Sequence, residues 1–434
     1  LARWLTNPLP EAGTAASPAP AHPPALAAVS SNPALLRLAH AKRVLLLQGP
    51  VGPFFDRLTR WLRTQGAEVH RVVFHPGDKR DCQALTPIAY SGGHDEWPAF
   101  LDELIQRLGI DTLVLFGQAR RLHALAIAQA NARGLAVVVT EEGYVRPGYM
   151  TMELGGVNGF SNTLQRYQWV PVSPGPRVQT QRPAPSDHHF RQMAWFACRH
   201  YWHLHWGQPL SAHYQHHRPT DVVHHSRYWV TSWLKKHWRW LPDHARVKAL
   251  ADQPYYFVPL QHDGDSQITH HSRFDNTTDF LVEVVTSFAR HAPAHTRLVV
   301  RQHPHARGGR GPARFLRELT RQLGVQDRVV YLVEGHTPTL VTNARGVVVI
   351  NSTVGLQALM RNKPLAVLGD ALYKQPKLCF SGPLDDFWAS TPPPSPEHTH
   401  HFIEQLIALT QVPCHVYGLA SEPLHWSVQT HPAP

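Results

Sequence analysis

Apolar positions along this chain fall into short blocks that alternate between strand and helix spacing. Arg43-Val44-Leu45-Leu46-Leu47 is an apolar run of buried-strand length. Residues 54–65 follow with apolar side chains on one helical face, and 68–74 return to a strand pattern. The alternation continues as a helix over 97–108, a strand over 112–116, an Ala-rich helix over 121–133 and a strand over 136–140. A second series starts with a strand over 255–260 and a helix over 280–290. Strands over 296–300 and 328–332 flank a helix over 313–323. Strands over 347–350 and 364–368 and a helix near 400–409 complete the series. Alternating β and α elements predict parallel, doubly wound sheets. Two such series predict an α/β protein of two lobes with a cleft between them, the GT-B-like architecture of sugar-nucleotide glycosyltransferases.

The pattern changes at both ends and in the middle. Residues 1–41 are rich in Ala and Pro and are expected to be a disordered extension, with order beginning at Arg43. Residues 183–250 hold seven of the thirteen tryptophans and many histidines, which predicts a helical insertion between lobes 42–182 and 251–390. That insertion reads either as a helical hairpin packed on the body or as a platform at a membrane surface. Residues 391–434 are expected to be a C-terminal helix and tail.

Val347–Leu359 is the segment with most chemistry in its pattern. A β-branched strand runs into Asn351, Ser352 and Thr353, which offer helix-capping side chains. Gly355 allows a ligand or another backbone to come close. A helix N-terminus at the carboxyl end of a sheet suits a phosphate, although an ordinary βα turn has the same pattern.

Three other loops follow strands on the side where open α/β sheets bind ligands. Gly49, Pro50 and Gly52 lie in a tight loop that lines a ligand or is only a rigid turn; it is neither GxGxxG nor a Walker loop. Glu141 and Glu142 precede Gly143, with Arg146 nearby; one carboxylate pairs with Arg146 or acts as a general base. Gln261, Asp263, Asp265 and Gln267 share the third loop, where Asp263-Gly264-Asp265 reads as a nucleophile and its neighbour or as an Asp-x-Asp holding a metal–diphosphate. A fourth loop, Arg301-Gln302-His303-Pro304, places His303 to donate to a leaving phosphate. Nine arginines and two acidic residues occupy 290–328, partly as a solvated face.

Composition narrows the class. The chain has 434 residues, 43% hydrophobic and 17% charged, as in globular proteins. A net charge of +11 favours anionic partners without choosing among nucleic acid, lipid headgroups and phosphorylated substrates. Cys82, Cys198, Cys379 and Cys414 form no CxxC pair and are expected to be reduced thiols of a cytoplasmic protein. The histidines are irregularly spaced without a Cys or carboxylate cluster, so no metal site is expected there. No apolar run reaches the ~18–20 residues of a membrane span, so any membrane association would be peripheral. The first residues lack a signal-peptide core, and a start at Leu1 suggests a missing or processed N-terminus.

The motifs in order carry a resemblance. Residues 48–55, Glu141-Glu142-Gly143-Tyr144-Val145-Arg146-Pro147, Gly155-Gly156-Val157-Asn158-Gly159, Pro259-Leu260-Gln261 through Asp265-Ser266-Gln267-Ile268, Ser287-Phe288-Ala289, His303-Pro304 and Asn351-Ser352-Thr353-Val354-Gly355-Leu356 together resemble the KpsS-type (LipB-type) capsular polysaccharide biosynthesis proteins. The likeness spans roughly 43–390. It is looser at His305-Ala306-Arg307-Gly308, where an acidic residue is expected before the arginine.

The resemblance implies a retaining β-Kdo transferase. Such an enzyme uses CMP-Kdo to start an oligo-Kdo linker on (lyso)phosphatidylglycerol, for capsules exported by an ABC transporter. It implies Asp265 as nucleophile, Glu142 or Glu141 as acid/base, and His303, Ser352 and Thr353 on the CMP phosphate. Pro304, Arg301, Asn351 and Gly355 complete the implied donor site in the second lobe, and the first lobe takes the acceptor. The implied partners are CMP-Kdo, the lipid acceptor, an anionic inner-membrane surface and other capsule proteins, not nucleic acid. No cofactor or metal is expected, and the implied location is cytoplasmic, peripheral on the inner membrane. Two alternatives remain: another GT-B-fold sugar-nucleotide transferase or epimerase, and a non-catalytic capsule-assembly binding protein.

Overall fold

A computed structural model describes residues 29–30, 32–146, 148–165, 177–180, 188–207, 222–262, 268, 271–309 and 311–429. Strands in the first half are β1 (Val29–Ser30), β2 (Arg43–Leu46), β3 (Glu68–Val73), β4 (Ile88–Ala89), β5 (Thr112–Phe116), β6 (Ala136–Glu142), β7 (Tyr149–Leu154) and β8 (Arg177–Thr180). In the second half they are β9 (Tyr255–Pro259), β10 (Arg297–Arg301), β11 (Val329–Leu332), β12 (Gly346–Val349), β13 (Leu365–Val367), β14 (Gln411–Pro413) and β15 (Trp426–Gln429).

The chain forms two α/β lobes. The N-terminal sheet has the order β14-β7-β6-β5-β2-β3-β4, parallel from β4 through β6. The C-terminal sheet has the order β11-β10-β9-β12-β13 and is parallel throughout. Both parallel units therefore start with a central strand, add two on one side, then cross to the other. Their strands are continuous apolar runs because helices cover both faces. Val44 and Leu46 enter the core on one face of the first sheet, Leu45 and Leu47 the core on the other.

Order starts earlier than the composition of 1–41 predicts. Pro33–Ala39 is a helix whose Asn32 side chain accepts from the amides of Ala34 and Leu35 at 2.9 and 3.0 Å. Ala34, Leu35 and Leu38 are buried in the first lobe's core. Three apolar contacts at helical spacing outweigh an Ala/Pro-rich context. The remaining N-terminal residues, 1–28 and 31, lie outside the described residues.

The last forty residues are more than a tail. The helix Pro396–Thr410 leads into β14, which pairs antiparallel with β7, itself antiparallel to β6. β15 joins β8 and β1 in a small antiparallel sheet. Arg57 holds the carbonyls of His415 and Glu422 at 2.6 and 2.8 Å. The Trp426 ring meets Trp61 edge-on at 5.3 Å, and the Trp61 indole donates to the Trp426 carbonyl. The C-terminal segment thus leaves the second lobe and completes the first.

The insertion contains two helices, His188–Trp206 and Val222–Ala249. The first docks through Asp81, a buried carboxylate that accepts from His200 Nδ1 at 2.7 Å, Arg199 Nη2 at 2.9 Å and the Gly52 amide at 3.1 Å. These donors hold the Asp81 carboxyl below its usual pKa against the opposing effect of burial. The second docks through Asp243, whose Oδ1 takes Arg239 and Arg246 at 3.0 and 2.8 Å. Its Oδ2 takes the amides of Val333 and Glu334 at 2.9 and 3.0 Å.

Trp426→Ala removes a buried indole that joins the C-terminal segment to the first lobe. A loss of about 3–5 kcal/mol is expected in urea denaturation. A loss below ~1 kcal/mol would mean that β15 contributes little to the first lobe.

Candidate functional site

Each parallel unit changes direction between its first and fourth strands, which opens a crevice at the carboxyl ends of β2 and β5 in one lobe and β9 and β12 in the other. In the second lobe that crevice holds Gln261 and Asn351. The Gln261 amide donates to Asn351 Oδ1 at 2.9 Å, and Asn351 Nδ2 donates to the His271 carbonyl at 3.1 Å. Asn351 therefore bridges two strand ends instead of capping the helix. That helix, Val354–Leu359, is short. Its N-cap, Thr353, makes no side-chain cap bond, while Ser352 Oγ accepts from the Val354 amide at 3.3 Å. Gly355 makes room for protein, not ligand: a Cβ there would lie 2.5 Å from the Tyr373 hydroxyl, which donates to the Ser352 carbonyl.

The neighbouring strand end carries the cations. Arg301 donates to Thr337 Oγ1 at 2.7 Å, and its Nε has no hydrogen-bond partner among the described residues. Burial lowers its pKa, with Glu334 opposing. Arg307 pairs with Glu334 at 3.1 Å. The acidic partner that the sequence around Arg307 lacks thus arrives from the loop after β11. His336 sits at the next turn, its pKa lowered by burial and by Arg301 and Arg361. His303 and Pro304 follow β10 and are half-buried. Glu334, His336 and Arg361 lie outside the motifs singled out in the sequence; only the fold brings them beside Arg301.

In the first lobe the two glutamates separate. Successive strand residues face opposite sides. Glu142 pairs with Arg146 at 2.7 Å and accepts from the Tyr417 hydroxyl at 3.2 Å. Glu141 lies toward Gly117 and Arg120: a Cβ on Gly117 would sit 3.8 Å from Glu141 Oε1 and 3.5 Å from Arg120 Nε. The pair in sequence is not a pair in space. In the first loop, Gly49 is packed so tightly on Phe55 that a Cβ would meet its ring at 2.9 Å. Gly52 adopts φ +100° to give its amide to Asp81. Pro50 is buried between them. This loop grips the first insertion helix. Asp263, Asp265 and Gln267 lie outside the described residues.

Sequence reasoning missed Glu153, on β7. It is buried and accepts from the Tyr144 hydroxyl at 2.9 Å and from Ser161 Oγ. Burial outweighs these donors and pushes its pKa up to about 7. The Tyr144 hydroxyl also takes the Asn158 amide. Beyond Asn158, Gly159 and Phe160 press on His271 of the second lobe, the two rings meeting edge-on at 4.6 Å. A network therefore runs from Glu153 through Tyr144 and the Gly155–Gly159 motif to His271, Asn351 and Gln261. Glu153 carries no spacing signal, since its partners come from a turn and a second strand.

A family model described as "Capsule polysaccharide biosynthesis protein" matches residues 111–417. The chain belongs to this family. Capsule polysaccharide export protein KpsS of Escherichia coli is 35% identical over 385 residues, covering 87% of this chain and 98% of KpsS. Capsule polysaccharide modification protein LipB of Neisseria meningitidis serogroup B is 36% identical over 393 residues, covering 88% and 93%. Among solved structures, the Thermosulfurimonas dismutans KpsC β-Kdo 2,7 transferase aligns with a TM-score of 0.38 at 14% identity, over 85% of this chain and 89% of KpsC. The matched region of the capsule family runs through β14, so it includes the C-terminal segment that completes the first lobe.

This capsule protein also carries an apolar ridge. Trp195, Trp202 and Trp206 on one insertion helix and Trp229, Trp233, Trp238 and Trp240 on the other are 50–83% exposed. At 100° per residue Trp229, Trp233 and Trp240 fall within about 40° of each other. Among the described residues, no helix is long and apolar enough to cross a membrane.

The Glu153 pKa sets a pH dependence. A carboxyl that holds its proton more tightly folded than unfolded stabilises the fold below the unfolded pKa. That contribution is lost as pH rises through the folded value. Between about pH 4.5 and 7 the wild type is expected to lose roughly 3 kcal/mol relative to Glu153→Gln. Urea denaturation across that range checks it; a difference independent of pH would refute the assignment.

Proposed function

We propose that this protein is a retaining β-Kdo transferase that uses CMP-Kdo to start an oligo-Kdo linker on (lyso)phosphatidylglycerol. The main support is the ordered family motifs, several of which follow strands: Gln261 and Asn351 are bonded to each other after β9 and β12, and Arg301 and His303 lie at the end of the neighbouring strand β10. KpsS and LipB, similar over nearly their whole length, are named for capsule polysaccharide export and modification.

The chemistry divides between the lobes. An Asp265 carboxylate oxygen attacks the anomeric carbon of Kdo as the bond to the CMP phosphate breaks. CMP leaves with that electron pair. Arg301 and His303 offer donors to the departing phosphate, and a partly uncompensated buried guanidinium gains most from such an anion. An acceptor hydroxyl then displaces Asp265, giving its proton to a glutamate of the first lobe. Two inversions return the starting configuration. Glu142, held by Arg146 and Tyr417, and Glu141, on the opposite face of β6, are the two candidates for that base. Ser352 and Thr353 donate hydroxyls at the same strand end. No step requires a metal, since CMP-Kdo has a single phosphate.

The exposed tryptophans support peripheral attachment to an anionic membrane, where indoles suit the interface and the acceptor resides. In this reading the protein works on the cytoplasmic face of the inner membrane, near other capsule export proteins.

Purified protein incubated with CMP-Kdo (generated in situ) and fluorescent lysophosphatidylglycerol should gain Kdo by mass, and UDP-sugars should give nothing. Asp265→Asn should lower kcat by about 10³-fold or more. Gln261→Leu, which unlinks Asn351, should raise the donor KM about tenfold. Turnover of UDP-sugars alone, or an unimpaired Asp265→Asn, would reject this mechanism.

A further inference from the structure

The second insertion helix, Val222–Ala249, does not close against the second lobe. Between it, the edge strand β11 and the helix Ala313–Gln322 lies a groove of about 910 Å³. It is separate from the crevice: β11 stands two strands from β9, on the order of 10 Å across the sheet.

The groove is built for an anion. Lys235, Arg239, Arg246, Arg297 and Arg317 line it, against Asp327 on its wall and Asp243 behind. Five cations facing two carboxylates leave an excess of three positive charges. Asp243 spends one oxygen on both Arg239 and Arg246 and the other on two backbone amides, so it cannot neutralise the remainder. Two buried donors are also unsatisfied. Arg239 Nε and the Tyr331 hydroxyl have no hydrogen-bond partner among the described residues. Burial raises the Tyr331 pKa, so the hydroxyl keeps its proton and remains a donor. A buried donor left unpaired is costly, so these two keep the wall of the groove short of acceptors.

The rim suggests where the anion comes from. Trp238 lines the groove and is 83% exposed. On the same helix, Trp229, Trp233 and Trp240 form the apolar ridge, roughly 140–180° around the axis from Trp238. The helix therefore presents indoles both outward and at the mouth of a cationic groove. We propose that the groove binds the phosphate headgroup of an anionic phospholipid, as a second lipid site apart from the crevice. It rests on the reading that this protein works at an anionic membrane, with Trp238 at the bilayer beside the groove and the ridge on the opposite face of the helix. Such a contact would fix how the second lobe stands on the bilayer, leaving the crevice free for the reacting lipid.

The test uses phosphatidylserine, so that binding does not depend on the proposed acceptor. Vesicle flotation compares phosphatidylcholine alone with phosphatidylcholine plus phosphatidylserine. Calorimetry measures binding of glycerophosphoserine and of inorganic phosphate. Wild type should float with the anionic vesicles and bind glycerophosphoserine. Arg317→Glu, at an exposed groove position that takes no part in docking the helix, should lower both at least about tenfold, at an unchanged thermal midpoint. Equal flotation and equal glycerophosphoserine binding by that variant would overturn the proposal. So would inorganic phosphate binding as tightly as glycerophosphoserine, which would mark a free-phosphate site. Trp229→Ser with Trp233→Ser tests the ridge alone. If it floats like wild type while the groove variant does not, the ridge reading fails and the headgroup site stands.

Discussion

A buried amide must find partners for both its oxygen and its nitrogen, and at Gln411 that requirement ties distant segments together. Its carbonyl accepts from the amides of Tyr144 and Val145, and its nitrogen donates to Thr151 and Thr410. The loop after Glu142, the strand β7 and the end of the last long helix are held by one side chain. Around it lies an apolar cluster shared by both lobes: Tyr144, Val145 and Tyr149 pack with Val347, Leu356, Phe402 and Leu406. The two lobes are thus joined by a segment that begins in one and ends in the other.

From that seam the polar contacts lead toward the site. Tyr144 touches Glu153 and Asn158, and Gly159 admits His271 from the other lobe where any side chain would collide. His271 offers its carbonyl to Asn351 and to the Asp370 amide. Asn351 and Gln261 are thus positioned through backbone and amide contacts that cross the lobe boundary. Glu153, a buried carboxyl whose pKa burial pushes up to about 7, sits at the start of this line.

Cations are divided between two places. Arg301, Arg307 and Arg361 gather around His336 at the carboxyl ends of β10 and β11, with Glu334 as their acid. Lys235, Arg239, Arg246, Arg297 and Arg317 gather along the outer edge of the same sheet. The Arg-rich stretch 290–328 feeds both, because β10 and the helix after it expose opposite ends and faces to the two sites.

The hydrophobic pattern of the chain was enough to establish the doubled βα units, since strands buried on both faces must be continuously apolar and their helices must carry one apolar face. The order of the loop motifs was enough for the family. The sequence singled out Asn351 and Gln261 as residues that follow strands, but their bond to each other, ninety residues apart, was not legible. The helix at Pro33, the strand β7 and the return of the C-terminal segment were not legible, because each is stabilised by contacts with residues more than a hundred positions away. Glu141 and Glu142 looked like a pair because sequence adjacency says nothing of the alternating faces of a strand. Local periodicity determines which segments are helix or strand. Only tertiary structure decided which carboxylates are held, which glycines face protein rather than ligand, and where the arginines divide, because those depend on long-range desolvation and packing that no local pattern encodes.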